Sequence, residues 1–144
     1  NYAMLHPGGQ LGRRLLLRVA DVMRGGQNNP IVNVHSSVQE MLSEITSKLS
    51  GAVSVTNKEG ELVGLVTDHD IRTVLASGEN IFSFQINEIM NAKPTYIRSN
   101  AKAIQALDIM ENRERPFVVL PVLAEHGNEV VGMLHLHDLI AQGL

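Results

Sequence analysis

The 144-residue chain contains no cysteine, which excludes disulfides and thiolate metal sites. Aromatic residues make up only 3% of it against 44% hydrophobic residues, so its core must be built from Val, Leu, Ile, Ala and Met. Positive charge is never concentrated. The formal net charge is −3 and no basic run occurs, which argues against a nucleic-acid partner. No apolar run approaches the ~20 residues that span a bilayer, so no membrane partner is expected. Nothing at the N-terminus has the form of a signal peptide, and the chain reads as soluble and cytoplasmic. It opens at Asn1 without a Met and reads as a piece of a longer protein. Its length fits one compact domain or two small lobes sharing a core.

What is present is a repeat. Gly64-Leu65-Val66-Thr67-Asp68-His69-Asp70-Ile71 returns as Gly132-Met133-Leu134-His135-Leu136-His137-Asp138-Leu139, with glycines and terminal aspartates each 68 residues apart. An apolar run ending at Thr67, followed by apolar residues at helical spacing (Ile71, Val74, Leu75), predicts a strand feeding a helix N-terminus. First-turn N–H groups have no acceptor within a helix and favour an anion there. Thr67 adds a hydroxyl, and Asp70 is an acceptor suited to ribose hydroxyls. A helix cap with an acidic first turn accounts for both residues on stability grounds alone.

A second motif doubles as well: Val19-Ala20-Asp21-Val22-Met23 and Ile86-Asn87-Glu88-Ile89-Met90 share an apolar–x–acid–apolar–Met pattern. Each leads through a polar turn to a short strand, Ile31–Val34 and Thr95–Ile97. Ser37 with Glu40 has capping-box form before a helix whose apolar face is Val38, Met41, Leu42, Ile45 and Leu49. Its counterpart carries Ile104, Leu107 and Met110, with Ser99 or Asn100 as cap. Ala52–Val55 and Phe117–Leu120 read as buried strands. Leu62–Val66 and Val130–Leu134 pair back on them as hairpins, and Gly78 and Gly143 read as helix C-caps. Each half is thus strand–helix–strand–strand–helix, over residues 19–78 and 86–144, joined by a linker at 79–85. Residues 1–18 form a Gly- and Pro-rich, loop-like arm.

This doubled arrangement resembles a tandem pair of CBS domains, the Bateman module, over about residues 19–144. The resemblance rests on the two Val/Ile-x-Asp/Glu-Val/Ile-Met openings and on the Gly-apolar-apolar-Thr-x-x-Asp-Ile ending at Gly64–Ile71. It implies an α/β (α+β) fold of two pseudo-symmetric repeats, each a small sheet with two main helices, packed face to face. The arm His6-Pro7-Gly8-Gly9-x-Leu11-Gly12-Arg13-Arg14 resembles the joint between the sugar-isomerase (SIS) domain and the CBS pair of bacterial D-arabinose 5-phosphate isomerases. That family interconverts ribulose 5-phosphate and arabinose 5-phosphate for synthesis of the sugar acid Kdo, used in lipopolysaccharide or capsule. The resemblance makes this chain the regulatory C-terminal portion and His6 a stranded active-site residue of the parent enzyme. It implies partnership with the SIS domain of the same chain and a homo-oligomer.

The resemblance assigns phosphate contact to Thr67 and ribose contact to Asp70, in a cleft for an adenine nucleotide (AMP, ADP or ATP) or CMP-Kdo. His135 and Asp138 are the second version, with an imidazole where a hydroxyl is expected; it blocks the cleft or, protonated, meets a phosphate. His69 stands where the family has Gly and narrows the first cleft. Thr95, after Lys93-Pro94, is a further contact, while Ile31, Val34, Ala52 and Val53 wall an apolar slot for a base or belong to the core. Arg113 and Arg115 read as a solvated helix end within reach of a phosphate. His135 and His137, at alternate positions of a strand, would share one face, but no further ligand joins them and no metal is expected. No nucleophile–base pair stands out, so this chain is not expected to be an enzyme. A ligand-free module that supports the isomerase oligomer is the rival reading.

Overall fold

The computed structural model describes residues 9–144. Helix α1 (Gly9–Leu16) and the one-turn helix α2 (Val19–Val22) precede strand β1 (Arg24–Gly25). The first half continues with β2 (Ile31–Asn33), α3 (Val38–Lys48), β3 (Ala52–Thr56), β4 (Leu62–Thr67) and α4 (Asp68–Ala76). The second repeats the order with α5 (Ile86–Ile89), β5 (Ile97–Arg98), α6 (Ala103–Glu111), β6 (Val119–Leu123), β7 (Val130–His135) and α7 (Leu136–Ala141). In each half the first long strand pairs in parallel with the short one before it and antiparallel with its hairpin partner, giving sheets β2-β3-β4 and β1-β7-β6-β5. The α/β architecture of two matching repeats is as expected.

The order along the chain hides an exchange. β1 pairs with β7 of the other half, and Asn91, the residue after Met90, bridges Leu65 of β4 in the matching place. The opening helices follow them. Val19 and Val22 of α2 are buried with Ile97, Met110, Leu120 and Leu134, whereas Ile86 and Ile89 of α5 are buried with Val38, Met41, Val53 and Val66. Each position of the opening motif has a cause. The acids cap their own helices: Asp21 accepts the Arg18 N–H at 2.8 Å and Glu88 the Gln85 N–H at 2.8 Å. The methionines lie on the glycines of the opposite repeat. A Cβ built at Gly132 would stand 2.6 Å from Met23 Sδ, and one at Gly64 would collide with Met90. A third cluster, Ala52, Leu65, Val119 and Met133, joins the two sheets at the pseudo-twofold centre.

Local departures from expectation have physical reasons. The loop-like arm contains α1, whose Arg14 guanidinium donates to Gly143 O at 3.1 Å beyond α7, a favourable place for a cation. Strand pairing of β5 starts at Ile97 and not at Thr95. In the first sheet Ser54 N–H donates to Pro30 O at 3.0 Å, but Pro121 stands in the corresponding place and has no N–H to give. Helix α6 is capped at Lys102, where Gln105 accepts the N–H at 3.2 Å, so Ala103, Ala106 and Met110 face the core and Ile104 is exposed. Ser37 and Glu40 form the expected box, but Leu49 lies beyond the end of α3, left-handed (φ 52°) and 84% exposed. Gly78 and Gly143 have φ of 82° and 84° and follow α4 and α7 as foreseen.

Replacing Gly132 with Ala is expected to cost roughly 1–3 kcal/mol in denaturant unfolding, as overpacked cores do. The penalty should shrink in a Gly132→Ala/Met23→Ala protein relative to Met23→Ala. Independent effects of the two changes would refute the crossed contact.

Candidate functional site

The two strand-to-helix turns are equivalent in backbone and different in chemistry. In the first, Asp68 N–H donates to Gly51 O at 3.0 Å; in the second, Leu136 N–H donates to Val118 O at 2.9 Å. Each closing helix is thereby anchored to the start of the neighbouring strand. At the first turn Thr67 and Asp70 cap reciprocally. Asp70 Oδ2 accepts the Thr67 N–H at 2.9 Å and its hydroxyl at 3.1 Å, and Asp70 N–H approaches Thr67 Oγ1 at 3.4 Å. The N–H groups of Thr67, Asp68 and Asp70 are therefore all satisfied from within the chain, a narrower anion site than the sequence implied. Asp70 Oδ1 has no hydrogen-bond partner among the described residues, and Asp70 is half-buried. One carboxylate oxygen remains free to accept from a hydroxyl.

The second turn is already engaged. His135 is 7% exposed, and its Nε2 lies 3.0 Å from Ser50 O and 3.1 Å from Ser50 Oγ. A carbonyl only accepts, so in the neutral ring Nε2 carries the hydrogen and Nδ1 is an acceptor, buried without a hydrogen-bond partner among the described residues. Burial holds the His135 imidazole below the ordinary histidine range; the Arg24 charge adds to this, while the Ser50 bond and the Asp138 carboxylate oppose it. With its ring turned to Ser50, His135 does not cap α7. Asp138 instead accepts from Arg24, Nε at 2.9 Å and Nη2 at 3.5 Å, and Arg24 Nη1 donates to Leu49 O at 3.3 Å.

Residues 19–77 and 86–143 both match the CBS domain family. The chain belongs to that family. It is 36% identical over its whole length to the arabinose 5-phosphate isomerase KdsD of Salmonella typhimurium and equally to that of Pseudomonas aeruginosa, and spans 43% of the length of each. Among solved structures it is similar to CBSX2 in complex with AMP (TM-score 0.73, 22% identity, 88% of this chain and 96% of that one). It is also similar to the CBS pair of MJ0100 in complex with 5-methylthioadenosine and S-adenosylmethionine (TM-score 0.72, 19% identity, 88% and 94%). These two likenesses establish the fold of a CBS pair.

Within the pair, Thr67 and Asp70 meet in one cap, whereas His135 and Asp138 part company, one turned to Ser50 and the other to Arg24. Val53 is fully buried in the first core and Ala52 in the inter-sheet cluster, Val34 packs against the first core, and Ile31 is 41% exposed on β2. His69 and Thr95 are exposed, Thr95 outside β5. Arg113 stacks on the Phe117 ring, 3.8 Å from its centroid, and Arg115 is exposed. The shared-face geometry imagined for His135 and His137 does not occur: β7 ends at His135 and exposed His137 lies in α7. His6 lies outside the described residues. An open cavity of about 480 Å³ lined by Arg18, Asp21, Ser99 and Glu125 lies among none of the expected ligand residues.

The sequence reading missed Arg24, Leu49 and Ser50. A signal existed for Arg24: it follows Met23 as Asn91 follows Met90, and the two differ in charge. Its partner 114 residues away became visible only with the fold.

The unfolded chain binds a proton at His135 near pH 6.5, the folded chain only at lower pH. The stability tied to the neutral ring is therefore complete above that value and lost as pH falls from it toward the lowered folded value. Thermal melts between about pH 5 and 8 should show this loss, at most about 1.4 kcal/mol per pH unit for one proton. A His135→Gln protein, which cannot titrate there, should show a flatter profile; identical profiles would refute the assignment.

Proposed function

We propose that this CBS pair is the regulatory portion of a bacterial arabinose 5-phosphate isomerase and senses a nucleotide-type ligand between its repeats. The observation that carries the reading is the half-buried Thr67–Asp70 cap with one carboxylate oxygen unclaimed. A ribose offers hydroxyls to such an acceptor, and exposed His69 stands on the same helical turn. Relationship to KdsD over the full chain supports the parent activity: interconversion of ribulose 5-phosphate and arabinose 5-phosphate, ahead of Kdo. The ligand is an adenine nucleotide, reporting energy state, or CMP-Kdo, the activated pathway product. Structures of similar fold bound to AMP and to S-adenosylmethionine favour the adenine class.

Regulation requires the ligand to bind one arrangement of the attached SIS domains more tightly than another. The cytoplasm suits this role, and no helix among the described residues is long and apolar enough to cross a membrane. Leu75 of α4 and Ile140 of α7, both more than half exposed, offer apolar surface for a homo-oligomer. The structural reading, a ligand-free module holding the isomerase together, has its own support. The Thr67–Asp70 cap and the Arg24–Asp138 pair account for both aspartates without a ligand.

Thermal melts with AMP, ADP, ATP, CMP and CMP-Kdo separate the two. A ligand at about 100-fold its Kd stabilises the folded chain by roughly 2.7 kcal/mol. In an Asp70→Ala protein that increment should vanish, whatever the loss of the cap does to the unliganded melting temperature. No increment with any ligand, in a chain that melts cooperatively, leaves the structural module.

A further inference from the structure

We propose that the second cleft is closed by the chain's own side chains, with Arg24 and His135 as the deciding residues, so that one ligand binds per chain, at Thr67 and Asp70. The inference rests on the reading that the pair binds a nucleotide-type ligand. It comes from comparing the halves position by position. Thr67 corresponds to His135, Asp70 to Asp138, and Asn91, bonded to Leu65 as Arg24 is paired with Met133, to Arg24.

The aspartate is common to both turns, but two of the positions around it, Thr67/His135 and Asn91/Arg24, differ, and with them whether a carboxylate oxygen stays unclaimed. Asn91 is exposed and its Oδ1 accepts the Lys93 N–H at 3.0 Å within its own turn; it places no cation on Asp70. Arg24 has a longer, forked donor, and both its contacts with Asp138 use carboxylate oxygens that a ribose would need. The guanidinium is held from a second side by Leu49 O, on the left-handed residue that ends α3. Thr67 offers a small hydroxyl at the helix start, whereas His135 turns a ring inward and commits its N–H to Ser50. The cluster thus joins β1, the end of α3 and the β7–α7 turn, which the chain supplies from both halves. A ligand entering there must displace a charge-assisted pair and a buried hydrogen bond; one entering at Asp70 displaces neither.

Titration calorimetry with AMP tests this on the unmodified chain, on Arg24→Asn, and on Arg24→Asn/His135→Thr, which gives the second cleft the residues of the first. The expected result is one AMP per unmodified chain, abolished by Asp70→Ala and retained in Asp138→Ala, and two per chain in the double variant. Arg24→Asn alone, which leaves the buried His135 bond intact, serves if the double variant does not melt cooperatively; it should then show weak second-site binding. Two AMP per unmodified chain, or binding that Asp138→Ala abolishes and Asp70→Ala spares, overturns the proposal. So does an unchanged stoichiometry in variants that fold. AMP bound by the double variant but not by the unmodified chain would sustain the closure of the second cleft while defeating the first-site reading of the previous section.

Discussion

The crossed packing of methionine on glycine is the constraint on which the rest of the molecule depends. Met23 lies on Gly132 and Met90 on Gly64, each from the opposite half. Close approach here needs a residue without a Cβ, and the methionine that follows each opening helix needs somewhere to put its thioether. Once the two contacts form, β1 is drawn onto β7 and Asn91 onto Leu65, and Val19 and Val22 are carried into one core while Ile86 and Ile89 enter the other. Each core therefore contains residues belonging, by chain order, to the other half. The hairpin tips reinforce the exchange: Leu62 N–H donates to Asn128 O at 3.1 Å and Val130 N–H to Gly60 O at 3.0 Å.

The same near-symmetry explains how two equivalent turns acquired different chemistry. The backbone anchors of α4 and α7 are matched, Gly51 O to Asp68 and Val118 O to Leu136, so folding does not require the side chains at the turns to agree. Those side chains are free to diverge. In the first half Thr67 and Asp70 satisfy one another and leave an acceptor over; in the second, His135 and Asp138 reach across to Ser50 and Arg24. An ion pair as solvent-accessible as Arg24–Asp138 contributes on the order of 1 kcal/mol or less. Its weight lies in position: it consumes the carboxylate whose counterpart is open.

Much of the architecture was legible because it is local. The order of strands and helices, the Ser37–Glu40 box and the glycines after α4 and α7 are properties of neighbouring residues, and the box and the glycines appear where the pattern placed them. Two departures arose where a distant group intervened. Pro121 shortened β5 by withholding a donor from another strand, and Leu49, apolar and in phase with α3, fell outside the helix into a left-handed turn whose carbonyl Arg24 holds. At the site, Thr67 and Asp70 are three residues apart and form one cap, so their pairing was open to inference. His135 and Asp138 are also three apart, yet their partners lie 85 and 114 residues away.

Residue order alone dictates two copies of one small α/β unit, their aliphatic cores, and an acidic first turn where each hairpin runs into its closing helix, since all of these follow from spacing along a single segment. Which half completes which core, and which of the two turns keeps a free acceptor, depends on groups that meet only after the chain has crossed over itself. Arg24 illustrates the difference. In the sequence it is one polar residue after a methionine, and only pairing of β1 with β7 brings its guanidinium to Asp138.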